Sequence, residues 1–279
     1  MTFTDKLKHI QQKKNSLLCI GLDTDIQKIP KHLLKSDNPQ LEFNKAIIEA
    51  TKDLVCAYKL NLAFYEEHGI KGLETIQKTL ELIPEGVITI ADGKRGDIGN
   101  SAEKQASAIF GTQKFSAVTV NPYMGFDAVE PFIKQQEKGV FVLNITSNPG
   151  SKDFQYLKVN GKPLYQFVTR KCKKWNVNHN IGLVVGATRV VELQKIRSIA
   201  SDMPFLIPGV GAQKGDLEAS VRYGCSHDGT LAIINIGRSI IYSSMQKIFG
   251  GKVREAAKHY QLQVNYYREK YYSKSLIKN

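Results

Sequence analysis

The 279-residue sequence predicts a single α/β domain, a (β/α)8 TIM barrel. Three observations carry that expectation. Eight short runs rich in β-branched and apolar residues recur along the chain, each followed by a stretch with helical spacing. Most of these runs are apolar throughout rather than alternating, which requires burial on both faces, as in a parallel sheet covered by helices. No Pro-, Gly- or Ser-rich linker divides the chain, so the eight units belong to one body. An open, doubly wound sheet is the alternative that the same alternation allows.

In order, the strand runs are 17–22, 55–60, 87–91, 117–121, 140–145, 181–185, 205–208 and 231–236. Each is four to six residues long and too short for a helix. Between and after them, apolar residues at helical spacing predict helices over 41–53, 66–83, 101–110, 125–136, 163–175, 189–200, 215–223 and from about 239 onward. Asn100, with Glu103 three residues later, reads as a capping pair for the third helix. The longest gap, 147–162, is polar, contains glycines and follows the fifth strand, where a barrel would carry a lid.

Composition narrows the class. Hydrophobic residues at 42% and charged residues at 23% exclude a disordered chain. An apolar run of about 18 residues is absent, so no membrane helix is expected. Residues 1–22 do not read as a signal peptide: the first half is polar and carries Asp5, and 17–22 is too short for its apolar region. Cys19, Cys56, Cys172 and Cys225 show no C-x-x-C spacing. Cys19 and Cys56 lie inside apolar runs and read as reduced core residues, which points to the cytoplasm.

The net charge of +13 suggests either a phosphorylated substrate or a polyanionic partner. Residues 250–279 contain seven Lys or Arg, two Glu and five of the twelve Tyr. Such interleaving occurs in single-strand nucleic-acid binders. It equally describes a terminal helix whose tyrosines pack on the domain, and that reading is adopted, because no nucleic-acid motif accompanies it.

In a barrel the chemistry lies beyond the C-terminal strand ends. After the third strand come Asp92, Lys94 and Asp97; two carboxylates flanking a lysine hold it protonated, and such a group can deliver a proton to a carbanion. Lys59 ends the second apolar run, where an ammonium is costly unless paired, and Asp92 is the expected partner. Asp23 ends the first run. Pro208-Gly209-Val210-Gly211 and Gly237-Arg238-Ser239 follow strands seven and eight, where barrels often bind phosphate. Their glycines admit backbone N–H groups to an anion, a helix N-terminus is expected behind them, and Arg238 offers a planar fork. The run lacks the third glycine of a dinucleotide fingerprint. The six histidines show no ligand spacing, so no metal site is expected, and without a pyridoxal or thiamine motif no cofactor is expected either.

These residues, together with Gly21-Leu22-Asp23, Thr119-Val120-Asn121-Pro122-Tyr123-Met124-Gly125, Thr146-Ser147-Asn148-Pro149-Gly150 and Val185-Gly186-Ala187-Thr188, resemble the orotidine 5′-phosphate decarboxylase family, more narrowly its longer bacterial-type subgroup. The resemblance implies cofactor-independent decarboxylation of orotidine 5′-monophosphate, with Lys94 as proton donor in a network of Lys59, Asp92, Lys94 and, from the neighbouring subunit, Asp97. It implies ribose contact by Asp23, reading of the pyrimidine edge by Ser147, and further substrate contacts from Pro208. It also implies a phosphate grip by Gln213, Gly237 and Arg238. Ile98 and Ser101 are implied to reach across a homodimer interface. A metal-dependent sugar-phosphate barrel and a basic RNA-binding protein are the alternatives.

Overall fold

The computed structural model describes residues 1–211 and 214–276. Eight strands form a closed barrel: β1 Leu18–Gly21, β2 Ala57–Asn61, β3 Ile88–Arg95, β4 Ala117–Val120, β5 Gly139–Ile145, β6 Ile181–Val185, β7 Phe205–Pro208 and β8 Ala232–Ile236. All neighbours are parallel, and the pairing of Leu18 with Ile234 closes the ring between β1 and β8.

The two-sided burial inferred from the apolar runs is present. Leu18 and Ile20 of β1 pack outward under the helices, whereas Cys19 between them points into the barrel with Ala57, Ile90, Ala117, Phe141, Val184, Leu206 and Ile233. All four cysteines are free and buried.

The helix Phe3–Lys13, absent from the helical patterns expected from sequence, plugs the N-terminal end of the barrel. A reciprocal capping box starts it: the Thr2 hydroxyl accepts from the Asp5 N–H, and the Asp5 carboxylate accepts from the Thr2 N–H at 3.0 Å. Its Phe3, Leu7 and Ile10 join the interior residues. The Phe3 ring meets Phe141 edge-on at 5.8 Å, in space left by Gly139, where a Cβ would lie 2.5 Å from that ring.

Several helices differ from expectation. The span 66–83 breaks into Ala63–Glu66 and Gly69–Glu81, because Gly69 turns the chain at φ +59°. The span 101–110 is Gly99–Ser107 followed by a π turn at Ala108–Thr112, and Ile98, not Asn100, occupies the N-cap, so the Asn100–Glu103 capping pair does not form. The span 125–136 shrinks to the single turns Phe126–Ala128 and Glu130–Ile133. The candidate lid contains a short helix, Ser151–Phe154, and a two-stranded ribbon pairing Lys158–Val159 with Lys162–Pro163.

The chain after β8 forms one turn, Arg238–Ile241, and then the long helix Gly250–Leu276. Val253, Ala257 and Val264 of that helix are fully buried, and Tyr260, Tyr267 and Tyr272 pack on the barrel. Arg254 grips Asp53 with both terminal nitrogens at 2.7 Å. The basic, Tyr-rich segment is therefore a structural buttress of the barrel. Among the described residues no helix is long and apolar enough to cross a membrane.

If the N-terminal plug completes the interior, Phe3→Ala should cost about 3–5 kcal/mol in urea unfolding, the usual range for emptying a buried aromatic site. A loss below about 1 kcal/mol would show that the plug packs loosely.

Candidate active site

At the C-terminal mouth of the barrel lies a cavity of about 320 Å3. It is lined by Asp23, Lys59, Asp92, Lys94, Ser147, Pro208, Gly237 and Arg238, eight of the twelve residues anticipated from sequence. A single register explains the convergence. Gly21 pairs with Lys59 and Asn61 pairs with Asp92, so the ends of β1, β2 and β3 stand side by side.

Lys59 is the buried member of the cluster, with a side chain only 4% exposed. Its ammonium donates to Asp92 Oδ2 at 2.9 Å and to Asp23 Oδ1 at 3.2 Å. Asp92 turns its other oxygen, Oδ1, toward the Lys94 ammonium at 2.8 Å and the Thr119 hydroxyl at 3.0 Å. The result is an alternating line, Asp23–Lys59–Asp92–Lys94, whose far end is half exposed to the cavity. Burial alone would raise the Asp92 carboxyl, but the two flanking ammonium groups outweigh it and hold the group well below the usual carboxylate range. Burial alone would lower Lys59, but Asp23 and Asp92 outweigh it and raise the ammonium above its usual range.

Lys94 does not follow simple strand alternation. Strand β3 continues four residues beyond its expected end, and its register against β4 shifts between Ala91 and Arg95. Within that bulge Lys94 adopts φ +44°. A non-glycine residue there costs about 1–3 kcal/mol and persists only where the surroundings hold it. Thr119 Oγ1 does so, accepting from the Lys94 N–H at 2.9 Å while donating to Asp92. Thr119, Asn61 and Asn235 also line the cavity and were given no role from sequence. Their signal was a polar residue interrupting an apolar strand at a cavity-facing position.

The Asp23 loop is clamped from two sides. The Leu22 N–H donates to the Lys59 carbonyl at 2.8 Å. The Tyr242 hydroxyl donates to the Asp23 carbonyl at 3.1 Å and accepts from the Asp25 N–H at 2.8 Å. Opposite, Gly209 and Gly211 bring the β7 loop to the rim at φ +105° and +85°. A Cβ on Gly211 would lie 2.6 Å from Ser239 Oγ, so this turn needs glycine both for its backbone and for its fit against the β8 loop. The expected helix N-terminus behind these loops is not free. The helix after β7 begins at Leu217, and the Asp216 carboxylate already accepts from Ala219 N–H at 2.8 Å. After β8 the chain forms only the turn Arg238–Ile241, with the Arg238 side chain exposed at the rim.

Asp97, Ile98 and Ser101 do not join the cavity lining. The Asp97 carboxylate accepts from the Ile98 N–H at 2.8 Å, and it does not bracket Lys94 within its own chain. Ile98 is 55% exposed and Ser101 is exposed. Gln213 lies outside the described residues.

Replacing Asp92 by Asn should destabilise the protein by about 3–5 kcal/mol near pH 7, because Lys59 stays buried with only one anionic partner. A depressed carboxyl stabilises the fold fully above its unfolded value, about 3.9, and loses that contribution as pH falls through its folded value. The urea-measured gap between wild type and variant should thus persist at pH 5 and narrow only below about pH 4. A gap absent at pH 7, or closed by pH 5, contradicts this electrostatic arrangement.

The profile of the orotidine 5′-phosphate decarboxylase / HUMPS family matches residues 16–247. A curated relative from Dehalococcoides mccartyi, named orotidine 5′-phosphate decarboxylase, is 47% identical over 97% of this chain and 100% of its own length. Another of that name, from Cupriavidus metallidurans, is 45% identical over 96% of this chain and 99% of its own. The solved structure of Leishmania donovani OMP decarboxylase superposes with a TM-score of 0.85 at 37% identity, covering 96% of this chain and 99% of that one. The chain with the Asp23–Lys59–Asp92–Lys94 line at its barrel mouth belongs to the orotidine 5′-phosphate decarboxylase / HUMPS family.

Proposed function

We infer that this chain decarboxylates orotidine 5′-monophosphate to uridine 5′-monophosphate, in pyrimidine nucleotide synthesis. The observation that carries the reading is a fixed ammonium, Lys94, held by a buried carboxylate at one side of a cavity whose other rim carries Arg238 and the glycine loops. Family membership and near-full-length similarity to relatives of that name support it.

The residues suggest a division of labour. Arg238, Gly237 and the Gly209–Gly211 turn take the phosphate, and Gln213 belongs with them by its place in the same loop. Asp23 and Lys59 face the ribose, Pro208 lines the wall, and Ser147 reads the pyrimidine edge. The bond from the ring to its carboxylate then breaks, carbon dioxide leaves, and the electron pair stays on the ring carbon. Lys94 stabilises that carbanion as its charge develops and transfers a proton to the same carbon. Asp92 keeps the ammonium oriented and places negative charge beside the departing carboxylate. Phosphate binding remote from the bond supplies energy for closing loops over the ring.

The positions of Asp97, Ile98 and Ser101 outside their own cavity support a shared site. In this reading a homodimer brings all three to the partner's cavity, with Asp97 completing the charge line next to Lys94. The dimer is isologous, so each chain both lends and receives these residues.

Carbon dioxide release from orotidine 5′-monophosphate in excess chelator tests the reaction itself. Turnover is expected without added metal, and loss of turnover on chelation would favour a metal-dependent sugar-phosphate barrel. Lys94→Ala should lower kcat by at least about a thousandfold, the scale of a lost proton donor that also stabilises charge. Mixing Lys94→Ala and Asp97→Ala chains tests sharing. One site of each mixed dimer then carries both lesions and the other carries neither, so random exchange should restore about a quarter of wild-type activity. Exchange without recovery would place Asp97 in its own chain's site.

A further inference from the structure

The loop after β5 carries Ser147, and a side chain from the neighbouring loop after β6 ties the backbone around it to the barrel rim. The structure assigns this task to Arg189, which the sequence reading passed over. Arg189 lies in the loop after β6, just before the helix Val190–Ile199. Its guanidinium reaches back across the barrel rim. Nε donates to the Thr146 carbonyl at 3.1 Å. One terminal nitrogen lies 3.5 Å from the Ser147 carbonyl and 3.4 Å from the Asn148 carbonyl, and donates to Ser151 Oγ at 2.9 Å. Three successive carbonyls and a hydroxyl thus converge on one planar cation.

The arginine is itself held. Its guanidinium carbon lies 5.8 Å from the centre of the Tyr156 ring, and the Tyr156 hydroxyl bonds to Glu192, three residues after Arg189. Gln155 adds a second anchor, accepting from the Thr146 N–H at 2.8 Å. The two loops also touch directly: a Cβ on Gly186 would lie 3.1 Å from the Ser147 nitrogen. Ser147 thus lines the cavity while its carbonyl faces Arg189.

Resting on the orotidylate reading, this assignment makes Arg189 a positioning residue for recognition of the pyrimidine ring. It touches no substrate and does not act at the phosphate end. A lysine lacks the planar fork, so it can satisfy some of these acceptors but not the whole set.

The test combines kinetics with amide hydrogen exchange on Arg189→Ala and Arg189→Lys. For Arg189→Ala, kcat/KM for orotidylate should fall about ten- to a hundredfold, the cost of misplacing a contact by about 1 Å, with KM rising more than kcat falls. Inhibition by ribose 5-phosphate, which has no pyrimidine ring, should stay within about twofold of wild type, and exchange should quicken in residues 146–151 while the barrel strands keep their protection. Arg189→Lys should fall between the two. An alanine variant with unchanged kcat/KM and unchanged exchange in 146–151 would overturn the assignment. Ribose 5-phosphate binding lost in parallel with orotidylate turnover would overturn it too, by showing a general collapse of the site. A wild-type chain that leaves orotidylate untouched would overturn the functional reading and this assignment with it, an outcome distinct from both.

Discussion

Lys59 sets the terms for the mouth of this barrel. An ammonium with a side chain 4% exposed has lost most of its water, and only close anions can offset that loss. Asp92 and Asp23 supply them, and each brings a further requirement. Asp92 is itself mostly buried and faces two lysines, so its second oxygen goes to Lys94 and Thr119. Asp23 must be held beside β2, which the Leu22 and Tyr242 bonds accomplish. The strained backbone of Lys94 is the end of the same chain of demands. Removing any one charge leaves another exposed to an uncompensated environment, so the cluster is coupled in stability as well as in chemistry.

The two ends of the barrel divide the work. At the N-terminal end, Phe3, Leu7 and Ile10 close the interior with apolar contact, and the buried Gln11 amide ties the plug to Leu231 and Ala232. That leaves the opposite end free to hold charged groups at strand termini. Outside, the helix Gly250–Leu276 packs Val253, Ala257 and Val264 on the barrel and ties to Asp53 through Arg254. The remaining positive charge that matters to the cavity is concentrated in three side chains, Lys59, Lys94 and Arg238.

The barrel was legible in the sequence because two-sided burial leaves uninterrupted apolar runs, and all eight runs became strands. Lys59 and Asp92 were legible for the opposite reason, as charges at the ends of such runs. Features set by tertiary contact were not legible. The plug helix Phe3–Lys13 reads as an ordinary polar start, since only its apolar face meets the interior. The bulge that re-aims Lys94 depends on a threonine from the next strand. Arg189 sits among residues that read as a helix start, and its role appears only when the β5 and β6 loops lie side by side. Asn100 and Glu103 had the spacing of a cap, but the chain enters that helix two residues earlier, through Gly99 at φ +54°.

Asp92 stays ionised because two ammonium groups hold it. Carbon-13 NMR of the aspartate side-chain carboxyls, assigned by difference against Asp92→Asn, measures this in the folded protein. The Asp92 resonance should keep its ionised position from pH 8 down to about pH 3, well past the ordinary aspartate midpoint of about 3.9. A midpoint at about 4 or above would contradict it, and would mean that the lysines do not govern the carboxylate that orients Lys94.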